Sequence, residues 1–134
     1  MPIFLHPVVP PKPVVDAYYS GFDPYVSTNL SAAGLGWHID TAIHCIRLIL
    51  GGVFDRFPWL QIIVGHQFEA VSWMAWRTDY SFQPDASGGL KRTIKEYLRE
   101  NFYGAASSPA TTRTKSPGPW TAAGVCPTTP IWAW

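Results

Sequence analysis

Four side chains in this 134-residue sequence are of types that could share chemistry: His6, His66, Glu69 and Arg77. Each histidine closes a short apolar run, Ile3-Phe4-Leu5 before His6 and Ile62-Ile63-Val64-Gly65 before His66. Neutral imidazole ligates metals and moves protons near pH 7. Two imidazoles at matching strand ends therefore point to a site, although each alone reads equally as a part-buried histidine with a satisfied ring. Glu69 comes three residues after His66, where a helix is expected to begin. It is either a site acid or a helix-start acid favoured by the helix dipole. Arg77 lies eight residues further on, on nearly the same helical face. Its guanidinium could grip a substrate carboxylate through two parallel bonds, or pair with Glu69 or another acid as structure. His38, Asp40 and His44 read as structural. A spacing of six between the two histidines is poor for chelation from one helical face, and Asp40 is most simply a first-turn acid.

These residues need elements to place them. Strands are predicted at 3–5 and 61–64, and the start of another at 102–103. Proline-rich VVPPKP cannot lie inside a sheet, and Pro13 suits the first turn of a short helix through Tyr19. Residues 21–36 read as a long loop, with Asp23-Pro24 and Gly34-Leu35-Gly36 as turn signals. The spacing of Ile39, Ala42, Ile43, Ile46 and Leu50 predicts a helix over 38–50 with one apolar face, stopped at Gly51 or Gly52. A helix over 69–80 is expected to carry Ala70, Trp73, Met74 and Arg77 on one stripe. A loop through 84–89 leads to a helix over 90–100 with Leu90, Ile94, Tyr97 and Leu98 inward. Strands alternating with helices imply an α/β fold with parallel strands and crossover helices. In such folds chemistry gathers where the carboxyl ends of the strands open to ligand.

Composition narrows the partners. A net charge of +1 argues against a polyanion binder, and the tryptophans near the C-terminus lack a basic track for phosphates. With 47% hydrophobic residues there is enough apolar chain for a core, yet no run approaches a membrane span. The opening residues show no basic leader region or cleavage site, and two cysteines suggest no disulfide framework, so a cytoplasmic setting is the default. All nine acids lie at or before Glu100, whereas 105–134 is rich in Pro, Thr and Trp and has no period. Two regions are therefore expected, a domain over 1–104 and an irregular tail over 105–134.

Three blocks carry a resemblance: PIFLHP at the start, TAIHCIRLILGGVFDRFPWLQIIVGH followed by Glu69 and Arg77, and EYLREN. Over about residues 2–104 the chain resembles the amidohydrolase-related (amidohydrolase 2) family. These are metal-dependent (β/α)8 barrels that include aminocarboxymuconate-semialdehyde and dihydroxybenzoate decarboxylases. The resemblance implies a central portion of such a barrel, with His6 as a metal ligand and His66 as the catalytic histidine beside the metal. It implies Glu69 as the acid contacting that histidine or the substrate, and Arg77 as an arginine that supports the network and substrate. It also implies zinc or manganese, a small carboxylic acid substrate, no nucleic acid or membrane partner, and a homo-oligomer in the intact enzyme. Phe68 stands where the family pattern has glycine, and Val71-Ser72 where Leu-Pro usually follows the glutamate.

The family's first-strand metal motif and late-strand aspartate have no counterpart here, and a full barrel takes about 250 residues. The chain is therefore expected to be a fragment, its tail a candidate for out-of-frame translation. With one recognisable ligand it is expected to bind metal weakly, because a catalytic zinc normally takes three protein ligands. Non-oxidative decarboxylation of an aromatic or unsaturated acid is the leading reading. Metal-dependent hydrolysis, a catalytically inactive remnant that pairs with another chain, and a small Pro/Trp-rich binding module are the alternatives.

Overall fold

A computed structural model describes residues 2–84 and 89–105, so the expectations for the tail beyond Ala105 lie outside the described residues, as does part of the loop expected at 84–89. Three short parallel strands form its centre: β1 (Ile3–Leu5), β2 (Ile62–Val64) and β3 (Phe102–Gly104), in the order β1-β2-β3. The register pairs Leu5 with Val64 and Val64 with Gly104, so all three strands end at the same level. The mixed α/β reading and the strand placements hold.

The first crossover is more helical than expected. Pro11 caps α1 (Lys12–Tyr18), which begins at the end of the VVPPKP stretch. Part of the loop expected over 21–36 is α2 (Pro24–Asn29), where the Asp23 carboxylate accepts from the Tyr25 N–H at 2.9 Å. Asp-Pro there is a cap followed by a first-turn proline, not a turn. A π-type turn, Leu30–Gly34, joins α2 to α3 (Gly36–Leu50). Gly36 allows that join, because a Cβ there would lie 2.2 Å from the Ser31 carbonyl oxygen. Gly52 takes the left-handed turn (φ 70) between α3 and α4 (Val53–Arg56).

The buried line of α3 runs through Thr41, Cys45 and Ile49, flanked by Ala42 and Ile46. Ile43 is 51% exposed and Leu50 also faces outward, which corrects the predicted stripe by a rotation of the helix. Free cysteine is among the most buried residue types, and here Cys45, not Ile43, marks the inward face. Cys45 is so enclosed that burial, and then the Glu69 charge, push its thiol up to about 12.

After β2 comes a single irregular turn, α5 (Gly65–Phe68), then α6 (Val71–Ser81). On α6 only Val71 is fully buried, while Trp73 is 88% exposed and Met74 is exposed. The predicted stripe therefore presents Trp73, Met74 and Arg77 to the outside. The last helix, α7 (Ile94–Asn101), starts behind a Thr93–Glu96 capping box and buries Ile94, Tyr97 and Leu98, as its spacing implies. Leu90 is buried too but precedes the helix.

One core cluster joins Cys45 and Ile49 to Phe54, Ile62, Val64, Phe68, Tyr97 and Phe102. Its centre is aromatic, with the Phe54 ring 5.0 Å from Phe102 and Phe68 5.9 Å from Phe102. The Tyr97 hydroxyl donates to the Asp55 carboxylate at 2.6 Å, and burial and then that bond raise it above the usual phenol range. Asn101, fully buried, donates to the carbonyls of Pro58 and Leu60, each at 2.9 Å. Among the described residues no helix is long and apolar enough to cross a membrane.

Candidate active site

The carboxyl ends of β1 and β2 place His6 and His66 side by side, with ring centroids 5.5 Å apart. Both line an open cleft of about 210 Å3 together with Phe4, Leu5, Gly65 and Ala105. His6 sets its Nδ1 3.0 Å from the Pro7 carbonyl, and His66 sets its Nδ1 2.9 Å from Glu69 Oε1. An Nδ1–H held by a carbonyl or carboxylate fixes the tautomer and leaves Nε2 as the free lone pair. Among the described residues neither Nε2 has a hydrogen-bond partner.

Glu69 does not open a helix as expected. It lies before α6 at φ 50, ψ −146, and His66 and Phe68 also have positive φ. Such values are costly for residues with a Cβ, about 1–3 kcal/mol each, and cluster at functional sites. Two contacts offset the cost here. Phe68 drives its ring into the core, 3% exposed, and the Glu69 carboxylate is fully enclosed between two imidazoles. The second imidazole is His38, whose Nδ1 contacts Glu69 Oε2.

His38 is the residue that sequence reasoning missed. Its spacing to His44 reads as structural, whereas its partner is Glu69, on another element. Asp40 and His44 do pair with each other along α3, at 3.2 Å. No local pattern could have found His38, since its third-residue place on α3 depends on the Leu30–Gly34 turn that was read as loop. Trp37 joins the group. Its indole stacks on the His66 ring at 6.0 Å and 22°, and its Nε1 lies 3.0 Å from His38 Nε2.

Arg77 is not part of this cluster. It is exposed on α6, and among the described residues its guanidinium has no hydrogen bond or ion pair. The sequence alternative of an Arg77–Glu69 pair is not what the structure holds, since both Glu69 oxygens face histidines.

One atom each from His38, His66 and Glu69 lie within 4.8 Å of one another, a donor set that could hold a metal ion. The expectation built on one recognisable ligand left this donor set out of account. The residues present fit a divalent metal in a second way as well. His6, with Nδ1 turned to its neighbouring carbonyl, offers Nε2 on the cleft side next to His66.

No protein-family model matches the chain. It is 36% identical over 104 residues to Decarboxylase orsB of Emericella nidulans, covering 77% of this chain and 31% of that protein. The structure superposes on 5-carboxyvanillate decarboxylase LigW from Sphingomonas paucimobilis with a TM-score of 0.63 at 34% identity, over 78% of this chain and 30% of that one. It also matches a dihydroxybenzoic acid decarboxylase from Polaromonas sp. with bound manganese and the inhibitor 2-nitroresorcinol. There the TM-score is 0.64 at 32% identity, over 77% and 30% of the two chains. The relatives and structural neighbours are thus decarboxylases of the amidohydrolase-related type, and the chain spans about a third of their length.

Proposed function

We propose that this chain is the central portion of a metal-dependent, non-oxidative decarboxylase acting on an aromatic carboxylic acid, built on a (β/α)8 barrel. The observation that carries the reading is the placement of His6 and His66 at adjacent strand ends on one cleft, with Glu69 behind His66. The similarity to decarboxylases over three quarters of the chain supports it. His6 would contribute its Nε2 to a zinc or manganese ion, with further ligands from polypeptide beyond the described residues. Such an ion supplies a Lewis acid for the substrate's carboxylate and neighbouring oxygen.

The protein's own part is proton handling. His66 Nε2, bare at rest, takes a proton from solvent and, as imidazolium, gives it to the ring carbon that bears the carboxylate. The bond to the carboxylate then breaks, its electron pair restores the aromatic ring, and carbon dioxide leaves. Glu69 accepts from Nδ1 throughout and stabilises the imidazolium, the role carboxylates play in acid–base pairs. Arg77 enters as a solvent-facing cation available to a substrate carboxylate in the assembled enzyme. Metal-dependent hydrolysis would use the same residues, but the similar proteins named above favour decarboxylation.

The test is a chimera in which residues 2–105 replace their counterpart in the Polaromonas dihydroxybenzoic acid decarboxylase. Release of carbon dioxide from dihydroxybenzoate is expected, and His66→Asn should lower kcat by at least about 100-fold. A folded, manganese-loaded chimera that is inactive, or an undiminished His66→Asn form, would sink the reading.

A second reading has its own observation. Phe4 on β1 and Trp73 and Trp76 on α6 are more than half exposed, leaving apolar faces that suit association with further polypeptide. Size-exclusion chromatography separates the two, since a clean monomer at high concentration contradicts a chain that survives by pairing.

A further inference from the structure

We propose that Trp37 and His38 are positioning residues that fix the tautomers of the His66–Glu69 pair, making the His38–Glu69–His66 cluster a hydrogen-bond relay and not a cation site. The inference deepens the reading above and rests on it in one respect, that His66 Nε2 is the atom that handles the proton.

The argument turns on the indole. A tryptophan N–H can only donate. Trp37 Nε1 lies 3.0 Å from His38 Nε2, so satisfying the indole requires a lone pair on that nitrogen and puts the His38 proton on Nδ1. Nδ1 faces Glu69 Oε2, an acceptor, and the other carboxylate oxygen accepts from His66 Nδ1 at 2.9 Å. Each group from indole to second imidazole then has a single consistent direction: Trp37 to His38, His38 to Glu69, and His66 to Glu69. Among the described residues, His66 Nε2 is the one ring nitrogen of the relay left bare, and His66 lines the cleft. The same Trp37 ring stacks on His66, so one side chain orients both imidazoles.

The structure also offers the opposite arrangement. The Ala33 carbonyl is 3.0 Å from His38 Nε2 and could accept a proton from it. That tautomer would aim the bare Nδ1 at the enclosed Glu69 carboxylate and leave the indole without an acceptor, two losses for one gain. It becomes favourable only when a cation sits between Nδ1 and the carboxylate. The His38 tautomer therefore reports which of the two roles the cluster plays, and Trp37 selects the relay.

Nitrogen-15 NMR of the full chain labelled at histidine reads both tautomers without substrate or turnover. His38 and His66 are expected to carry their protons on Nδ1, and an equivalent of Zn2+ should leave the His38 Nδ1 proton in place. Trp37→Phe keeps the stacked ring and removes the donor. It should raise the ratio of Nε2-protonated to Nδ1-protonated His38 about fivefold, the ratio one neutral hydrogen bond carries. A packing role alone would leave that ratio unmoved. Should Trp37→Phe not fold, His38→Gln, which keeps one donor toward Glu69, is expected to preserve the His66 tautomer, and His38→Leu to disturb it. A proton on His38 Nε2 in the unaltered chain, or loss of the Nδ1 proton on adding Zn2+, would overturn the proposal. An inactive chimera with these tautomers intact would count against the decarboxylase reading and not against the relay.

Discussion

Glu69 holds the site together at the scale of single residues, since its two oxygens serve two histidines from different elements. Replacing it by glutamine keeps the shape but turns one acceptor into a donor facing an imidazole N–H. Glu69→Gln is expected to lower stability by about 1–3 kcal/mol, the cost of an unmatched buried polar group. Urea unfolding checks this, and an unchanged midpoint would mean that the carboxylate is not gripped as described. The same chemistry explains what could be read in advance. His6, His66 and Glu69 were legible because strand ends are local patterns and an acid three residues on is a local spacing. His38 was not, because what gives it meaning is a contact across 31 residues. The turn that brings it there has no periodicity to read.

Whole elements repeat the lesson with caps and faces. Strand β2 and helix α7 follow from apolar runs and spacing, and both lie close to where the sequence puts them. Helix α2 was hidden because Asp-Pro serves equally as turn and as helix start, and only the Tyr25 contact distinguishes them. Which way the α6 stripe faces was not legible, because tryptophan and methionine suit a core and a surface alike. Two predictions belong here. In Gly36→Ala the new methyl would meet the Ser31 backbone at 2.2 Å, so the start of α3 must shift. A loss of about 1–3 kcal/mol is expected from overpacking, together with a change in the His38 environment visible by NMR. A neutral Gly36→Ala would show that the α2–α3 join is looser than drawn.

The second concerns the Thr93–Glu96 capping box. Backbone and then hydroxyl donation from Thr93 hold the Glu96 carboxyl below the usual carboxylate range. A depressed acid contributes stability above its unfolded value, and that contribution is lost as pH falls through the folded value. Thr93→Ala should therefore cost about 1 kcal/mol at neutral pH, and the gap to the unaltered chain should narrow under acid. Thermal unfolding at two pH values decides this, and a gap that stays constant removes the capping box from the account.

Across the whole molecule, much of what made the sequence look familiar is scaffold. Phe54, Asp55, Pro58 and Leu60 of the central block meet Tyr97 and Asn101 of EYLREN through a ring contact, a hydroxyl–carboxylate bond and two amide–carbonyl bonds. Gln61 adds a bond to the Glu100 carbonyl at 3.1 Å. These ties fasten α4, β2 and α7 to one another, while β1 meets the rest through its pairing with β2 and the packing of Leu5.

That uneven fastening has a consequence in time. Strand β1 is made before β2 but can pair only after the whole stretch to Ile62 exists, and it offers few side chains to hold it there, with Ile3 and Phe4 both exposed. Parallel pairing over long separations is slow, because the loop must close before contacts compensate. Strands β2 and β3, with the aromatic core between them, should set first and carry His66 and Glu69 with them. His6 would then arrive last. Pulse-labelled amide exchange during refolding would show it, with protection at Ile62–Val64 preceding protection at Ile3–Leu5. The half of the site proposed for acid–base work would thus mature before the half proposed to meet a metal, and any ion present during folding would encounter the His38–Glu69–His66 contacts already closed.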